Sequence, residues 1–378
     1  MQRTHPRAKT GKTLVVVGAG GNIGSHLVGL LARLAEVLRL ILLDRDRYEA
    51  GNLPGQDIAV RDVGRPKVLV QASRVHRIRP DLEVVPIHDA IENVPLGLLR
   101  ADLILAALDS REARRLVNQA AWRLSVPWID GGVAAAGLLA RVNVYRPGPG
   151  AACMECAWDG RDYAAASQAY PCLGRTQRDF PTRAPAHLGA LTAALQAIEC
   201  QKILAGQWDR VLTGQQLLVD GLYHKQYVTT ILRNPRCRFD HAPWRLRSLD
   251  GEPHRRTLDW LLRTERPRSS PSSPALLHVE GDVFVRQLSC LQCRATRDVL
   301  VRQRRLTPAQ RRCGRCGAAM AAAAHQVVHK LPLNVLPARY LLRTLADLGF
   351  RDGDVFTLSQ HEKSVHYAIG DDQPGRAA

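Results

Sequence analysis

Between residues 13 and 145, short apolar runs alternate with amphipathic stretches, and this alternation limits the possible folds more than any other feature of the chain. Leu14–Val17, Leu40–Leu43, Leu103–Leu108 and Trp128–Ile129 are short and continuously apolar, the pattern of strands buried on both faces, and Leu82–Pro86 is a further strand-like run that contains Glu83. The stretches Gly24–Leu38, Lys67–Arg79 and Arg111–Leu124 lie between them and carry helical spacing. Strand–helix alternation at this spacing gives right-handed βαβ crossovers and a parallel sheet covered on both faces. The run from Leu139 to Tyr145 opens a β-rich continuation, with strands expected at Leu217–Val219 and Gln226–Leu232. A helix over Leu188–Leu204 stops at Gly206.

At 378 residues the chain is too long for one ordinary domain. Residues 263–274 read RTERPRSSPSSP, a linker composition without periodicity. The expected organisation is a first domain over 1–250, a linker over 251–275 and a C-terminal module over 276–378. Hydrophobic residues at 46% and charged residues at 23% allow a sizeable core and exclude global disorder. No apolar run reaches the ~18 residues of a membrane span, and the start lacks the pattern of a secretory signal, so no membrane partner and a cytoplasmic location are expected. Net charge is +18, and 46 of the 53 basic residues are Arg. A basic surface suits phosphates, nucleic acid or an acidic partner, and a genome rich in Arg codons explains it equally well.

The loop Gly18-Ala-Gly20-Gly21-Asn-Ile-Gly24-Ser25 follows the first strand and opens a helix. Glycines there let backbone N–H groups approach phosphates at a helix N-terminus. Asp44 ends the second strand, 20 residues past Gly24, where a carboxylate reaches ribose hydroxyls. Together they predict a nucleotide pocket open to NAD or ATP. The residues that follow favour ATP: Asp44-Arg-Asp46, Asn52-Leu-Pro-Gly-Gln56, Asp62-Val-Gly64-Arg-Pro66-Lys67, Ala107-Leu-Asp109 with Arg114 and Asn118 beyond it, and Pro127-Trp-Ile-Asp130-Gly131-Gly132.

This ordered set, spread over residues 12–242, resembles the ThiF/MoeB/HesA superfamily, adenylating enzymes that activate ubiquitin-like proteins and sulfur carriers. The resemblance implies that Gly18, Gly20, Gly24, Asp44, Asp46 and Gln56 hold ATP. It implies that Asn52, Lys67 and Asp109 surround the triphosphate and its Mg²⁺. Adenylation joins a carboxylate to the α-phosphorus and expels pyrophosphate, so it needs positioning and positive charge rather than a strong base. Lys67 would neutralise phosphate charge, Asp109 hold magnesium and Asn52 fix a phosphate oxygen. The chain departs from the family at Gly55, where an Arg is usual; Arg45, Arg47 and Arg61 are the candidate replacements. Arg3 and Arg7 are available for the Arg that the family donates across a dimer, and a homodimer is expected. In the family a cysteine before the helix near Leu188 can take the acyl group from the adenylate, which makes Cys172 the catalytic candidate. Arg neighbours lower a thiol's pKa and favour such a nucleophile.

Nine Cys include three Cys-x-x-Cys pairs. Cys290-x-x-Cys293 and Cys313-x-x-Cys316, with the second pair followed by Gly, have the spacing of a tetrahedral Zn²⁺ ribbon with no open ligand position. Cys153-x-x-Cys156 with Cys237 and His241 forms a second zinc set implied by the resemblance, in which Asp240 is the alternative fourth ligand. The expected whole is an α/β protein: a Rossmann-like, doubly wound, mostly parallel sheet with an added β-rich segment, followed by a zinc-ribbon module.

The expected activity is ATP-dependent adenylation of the C-terminal glycine of a ubiquitin-like protein, with transfer through a thioester to a conjugating enzyme. Activation of a sulfur carrier without an essential thioester is the alternative. An NAD-dependent oxidoreductase would use only the loop and Asp44. A nucleic-acid-binding zinc protein is a third class, although nucleic acid is not the expected partner. Leu341–Phe350 reads as a helix followed by a turn and a strand.

Overall fold

The computed structural model describes residues 11–167, 184–249, 252, 255–265, 274–361 and 363–370. These divide into two compact units, 1–94 with 99–243 and 95–98 with 244–378.

The first unit runs β1 (Lys12–Val17), α1 (Gly24–Leu31), β2 (Val37–Leu43), α2 (Lys67–Ile78), β3 (Glu83–Ile87), β4 (Leu103–Ala106), α3 (Arg111–Leu124), β5 (Trp128–Ala134), β6 (Leu139–Tyr145), α4 (Gly160–Ser167), α5 (Ala186–Leu204), β7 (Gln215–Asp220) and β8 (Lys225–Thr230). Its eight strands lie in the order β3-β2-β1-β4-β5-β6-β7-β8. The first five are parallel, and β6, β7 and β8 extend the sheet antiparallel. The apolar runs become central strands because both faces are covered: Leu14, Val16, Leu40, Leu42, Leu103 and Leu105 are fully buried in one core with Leu27 and Leu31 of α1 and Val68 and Val75 of α2. Helix α1 packs on α2 and α5, and α3 on β4 and β5.

The chain turns one way from β1 to β2 and the other way from β1 to β4, so a crevice opens where their carboxyl ends diverge. Val17 pairs with both Leu43 and Ala106, which brings the glycine loop, Asp44 and the β4 loop to one edge.

Helix α1 is shorter than its sequence predicts. It ends at Leu31, and Val37, assigned to that helix by periodicity, begins β2 opposite Lys12. Apolar residues near a helix end cannot by themselves be told from the start of a buried strand.

The second unit contains β9 (Leu246–Leu249), β10 (Leu276–His278), β11 (Phe284–Cys290), β12 (Thr296–Arg302), β13 (Met320–Ala321), β14 (Val327–Val328), β15 (Leu331–Pro332), β16 (Val355–Gln360) and β17 (Lys363–Ile369). One sheet has the order β15-β10-β16-β17-β9; the other is built on β11, which pairs with β12, β13 and β14. The helix expected over 341–350 is absent. The helical turn Ala338–Leu341 stops there, and Leu345, Leu348 and Phe350 enter the core from irregular backbone. The expected following strand is present as β16.

Candidate active site and metal centres

Glycines at the end of β1 are required by packing before any ligand is considered. Gly18 has φ +81°, and a Cβ on Gly24 would stand 2.0 Å from the Gly18 carbonyl oxygen. A Cβ on Gly20 would stand 2.4 Å from Cβ of Lys67. The loop is therefore pressed against the first residue of α2, and this close approach places a cation under it.

Asp44 closes the other side. Its Oδ2 accepts the Gly20 N–H at 2.9 Å and its Oδ1 the Asp46 N–H at 3.0 Å. Burial raises its pKa above the ordinary carboxylate value, with the charge of Lys67 opposing that shift. Lys67 is 7% exposed, with Nζ 3.5 Å from Asp46 Oδ2 and 5.6 Å from the Tyr48 ring centre. Gly18, Gly20, Gly24, Asp44, Asp46 and Lys67 thus converge as the spacing predicts.

Asn52 and Gln56 lie in the next loop. Asn52 Oδ1 accepts the Glu49 N–H at 2.9 Å, so it caps its own turn. Gln56 Oε1 is buried and has no hydrogen-bond partner among the described residues. At Gly55 a Cβ would approach the Ala184 carbonyl oxygen at 3.0 Å, and its own carbonyl accepts Asn22 Nδ2 at 2.6 Å. A side chain there would have to push the Ala184 carbonyl back by a few tenths of an ångström. Among the candidate replacements, Arg47 is engaged with the Gly64 carbonyl at 2.9 Å, whereas Arg45 Nε stands 3.7 Å from Asp46 Oδ1, on the carboxylate that Lys67 also faces.

Asp109 is exposed in the loop after β4, immediately before Ser110, whose Oγ caps α3 by accepting the Ala113 N–H at 3.2 Å. Cys172 lies outside the described residues, as do Arg3 and Arg7. Cys200 is fully buried in α5, as its helical setting predicts.

A polar cluster that sequence reasoning only half found lies beneath the Asp109 loop. Asp130, fully buried, takes Arg114 Nε on Oδ1 at 2.9 Å and Arg141 Nη2 on Oδ2 at 2.9 Å. Arg114 Nη2 also donates to the Leu108 carbonyl, next to Asp109, and to that of Gly131 at 3.2 Å. Asp130 is the counter-ion of two guanidiniums. Arg141 had no sequence signal except a charge in a largely apolar strand; only the pairing of Gly132 with Arg141 brings it to Asp130. Asp130→Asn leaves two guanidiniums facing one neutral amide. It is expected to lower stability by about 3 kcal/mol, the scale of a broken buried ion pair, seen as an earlier denaturant midpoint with unchanged slope.

Two cysteine clusters are also formed, one in each unit. In the first, Cys153 Sγ is 3.8 Å from Cys237 Sγ and Cys156 Sγ is 3.2 Å from His241 Nε2, with all four ligand atoms within 4.8 Å of one another. In the second, Cys290 and Cys316 are 3.4 Å apart and Cys293 and Cys313 3.6 Å. Ligands ~2.3 Å from a tetrahedral centre stand about 3.8 Å from one another, so both sets fit Zn²⁺. Asp240 is not available to the first set, because Arg123 Nη1 and Nη2 grip its two oxygens, the second at 3.1 Å. Asn118, expected near the nucleotide, serves this cluster instead: its Oδ1 accepts the Met154 N–H at 3.2 Å and its Nδ2 donates to Glu155 at 3.3 Å.

The thiols differ. Burial raises the pKa of Cys153, whereas in the ribbon the Cys293 and Gln292 N–H groups push Cys290 down to about 6. The Cys316 and Arg315 N–H groups likewise lower Cys313. Amides aimed at sulfur favour the thiolate, the form that binds metal.

The profile of the ThiF family matches residues 8–239. A sulfur carrier protein adenylyltransferase of Thermus thermophilus is 33% identical over 233 residues, covering 60% of this chain and 80% of that protein. The NEDD8-activating enzyme E1 catalytic subunit of Saccharomyces cerevisiae is 33% identical over 156 residues, 39% of this chain and 51% of that protein. The crystal structure of E. coli MccB with ATP matches with a TM-score of 0.48 and 23% identity, over 61% of this chain and 66% of that one. The chain belongs to the ThiF family, the adenylyltransferase-like α/β proteins. No helix among the described residues is long and apolar enough to cross a membrane.

Proposed function

We propose that this chain uses ATP and Mg²⁺ to adenylate the C-terminal glycine of a ubiquitin-like protein, and that Cys172 then takes the acyl group and passes it to a conjugating enzyme. The observation that carries the first step is the convergence of Gly20, Asp44 and Lys67 at the β1 edge. A ribose on Asp44 would set the triphosphate along the glycine loop above Lys67, whose charge offsets repulsion between the incoming carboxylate and the phosphates. The carboxylate oxygen forms a bond to the α-phosphorus as pyrophosphate leaves. Asp109, at the end of β4, is the residue assigned to magnesium. Arg114 holds the carbonyl beside it and so fixes the loop. Asn52 and Gln56 complete the phosphate end, Gln56 with its unpartnered Oε1. Arg45 supplies the positive charge that Gly55 lacks. In the second step the Cys172 thiolate attacks the acyl carbon and AMP leaves.

Both cysteine clusters are assigned to structural Zn²⁺, and the working unit to a homodimer in the cytoplasm. An oxidoreductase reading leaves Lys67 and Asp109 without a role. Activation of a sulfur carrier is the second reading, favoured by the 80% coverage of the Thermus thermophilus enzyme. ATP–pyrophosphate exchange with small proteins ending in glycine tests the first step: exchange that depends on the terminal glycine supports it, and its absence with every such protein refutes it. Trapping on non-reducing gels separates the two readings. A thiol-sensitive adduct that Cys172→Ala removes while exchange persists supports the thioester, and full carrier activity without Cys172 favours the sulfur-carrier reading.

A further inference from the structure

The proposed adenylation assigns no role to the four-cysteine ribbon, yet its composition is unlike that of the rest of the chain. Residues 284–321 hold nine of the 46 Arg and one of the 35 acidic residues, Asp298. Arg-rich codon usage would add Arg evenly and leave the acids in place, so it does not account for this segment. Arg302 is turned inward, with Nε 3.0 Å from Asp282 and Nη1 2.7 Å from Asp354. Arg297 buttresses the second knuckle by donating to the Ala309 and Gln310 carbonyls at 3.0 and 3.1 Å.

The exposed cations gather at the metal end. Arg294 follows the first Cys pair and Arg315 lies inside the second; the sulfurs of the two knuckles meet at 3.4 Å. Arg312 pairs with Ala319, whose carbonyl accepts the Leu291 N–H at 3.1 Å, and Met320 N–H reaches the Arg311 carbonyl at 2.8 Å. Arg294, Arg312 and Arg315 are exposed in and beside the two knuckles, Arg311 is exposed next to them and donates to the Leu306 and Gln303 carbonyls at 3.4 Å, and among the described residues no carboxylate pairs with any of the four. The aromatic nearest in sequence, Phe284, is buried, so the surface offers no ring for a base to stack on. Guanidinium forks match phosphate oxygens bidentately.

We propose that the metal end of the ribbon binds the phosphodiester backbone of nucleic acid without reading its sequence. The test uses the full-length zinc-loaded protein and fluorescence anisotropy with poly(U), transfer RNA and duplex DNA over a range of salt. About four phosphate contacts give a slope of log affinity on log salt near −3 for a single strand. Arg294→Glu/Arg315→Glu is expected to weaken binding at least tenfold at physiological salt and to flatten that slope. Arg77→Glu/Arg210→Glu, in the first unit, controls for general basicity and should leave it nearly unchanged. Relative affinity for poly(U) and duplex separates RNA from DNA as the natural source of phosphate. Equal losses in both double variants, no binding at physiological salt, or polyglutamate competing as well as poly(U) would overturn the proposal; the last result would point to an acidic protein. Zinc content and thermal midpoint confirm that the variants are folded. The outcome does not depend on adenylation, so either activity can fail alone.

Discussion

Lys67→Met is expected to lower ATP–pyrophosphate exchange by about 10²–10³-fold while the protein stays folded. The ammonium lies against the glycine loop, 3.5 Å from Asp46, and its Cβ is the atom that a side chain on Gly20 would strike. Met keeps the stem against Gly20 but removes the charge that lies over the Tyr48 ring and faces the incoming phosphates. Its loss should appear mainly in kcat, because the charge is most needed as the carboxylate and triphosphate are brought together. Asp44→Ala removes the acceptor for two loop N–H groups instead, and should raise the KM for ATP. Equal activity of Lys67→Met and the native protein would remove the cation from the mechanism.

Metal analysis is expected to return two zinc ions per chain, and Cys313→Ser to return one. The ribbon core is small: Val285, Leu288, Val299, Val301, Leu306 and Met320 pack with Cys290 and Cys313 themselves. So little apolar burial does not offset the entropy of ordering these strands, and structural zinc supplies about 10–16 kcal/mol in small domains of this kind. Serine at 313 should therefore unfold the ribbon and expose it to protease, while the Cys153, Cys156, Cys237 and His241 centre keeps its ion. The first unit, with its own core, should stay folded. A single zinc in the native protein, or a ribbon that resists protease in Cys313→Ser, would contradict this account.

The parallel sheet, the glycine loop, Asp44 and the four-thiol ribbon set were legible because each is written in local spacing: runs of apolar residues, a turn that needs glycine, and pairs of thiols two residues apart. The helix ends were not. Val37 is apolar in either assignment, and only its pairing with Lys12 makes it a strand residue. The segment 341–350 misled for a related reason. Its leucines do become core, but Leu345, Leu348 and Phe350 reach it from turns, where helical spacing carries no information about backbone conformation.

Asn118 shows how a correct position can carry the wrong expected partner. Its place on α3 was read toward the nucleotide because the chain order put it after Asp109, yet the helix turns that face to Met154 and Glu155. Arg141 was missed because its partner comes from another strand.

By itself the sequence determined where strands and turns must form, and that four thiols at this spacing fit a metal ribbon, since these follow from forces between near neighbours. Only the tertiary structure decided which distant groups share one place: Lys67 beneath Gly20, Arg141 on Asp130, and His241 rather than Asp240 with three cysteines. Those choices belong to sheet register and packing, where a carboxylate goes to the cation that burial leaves nearest, and no local pattern records that distance.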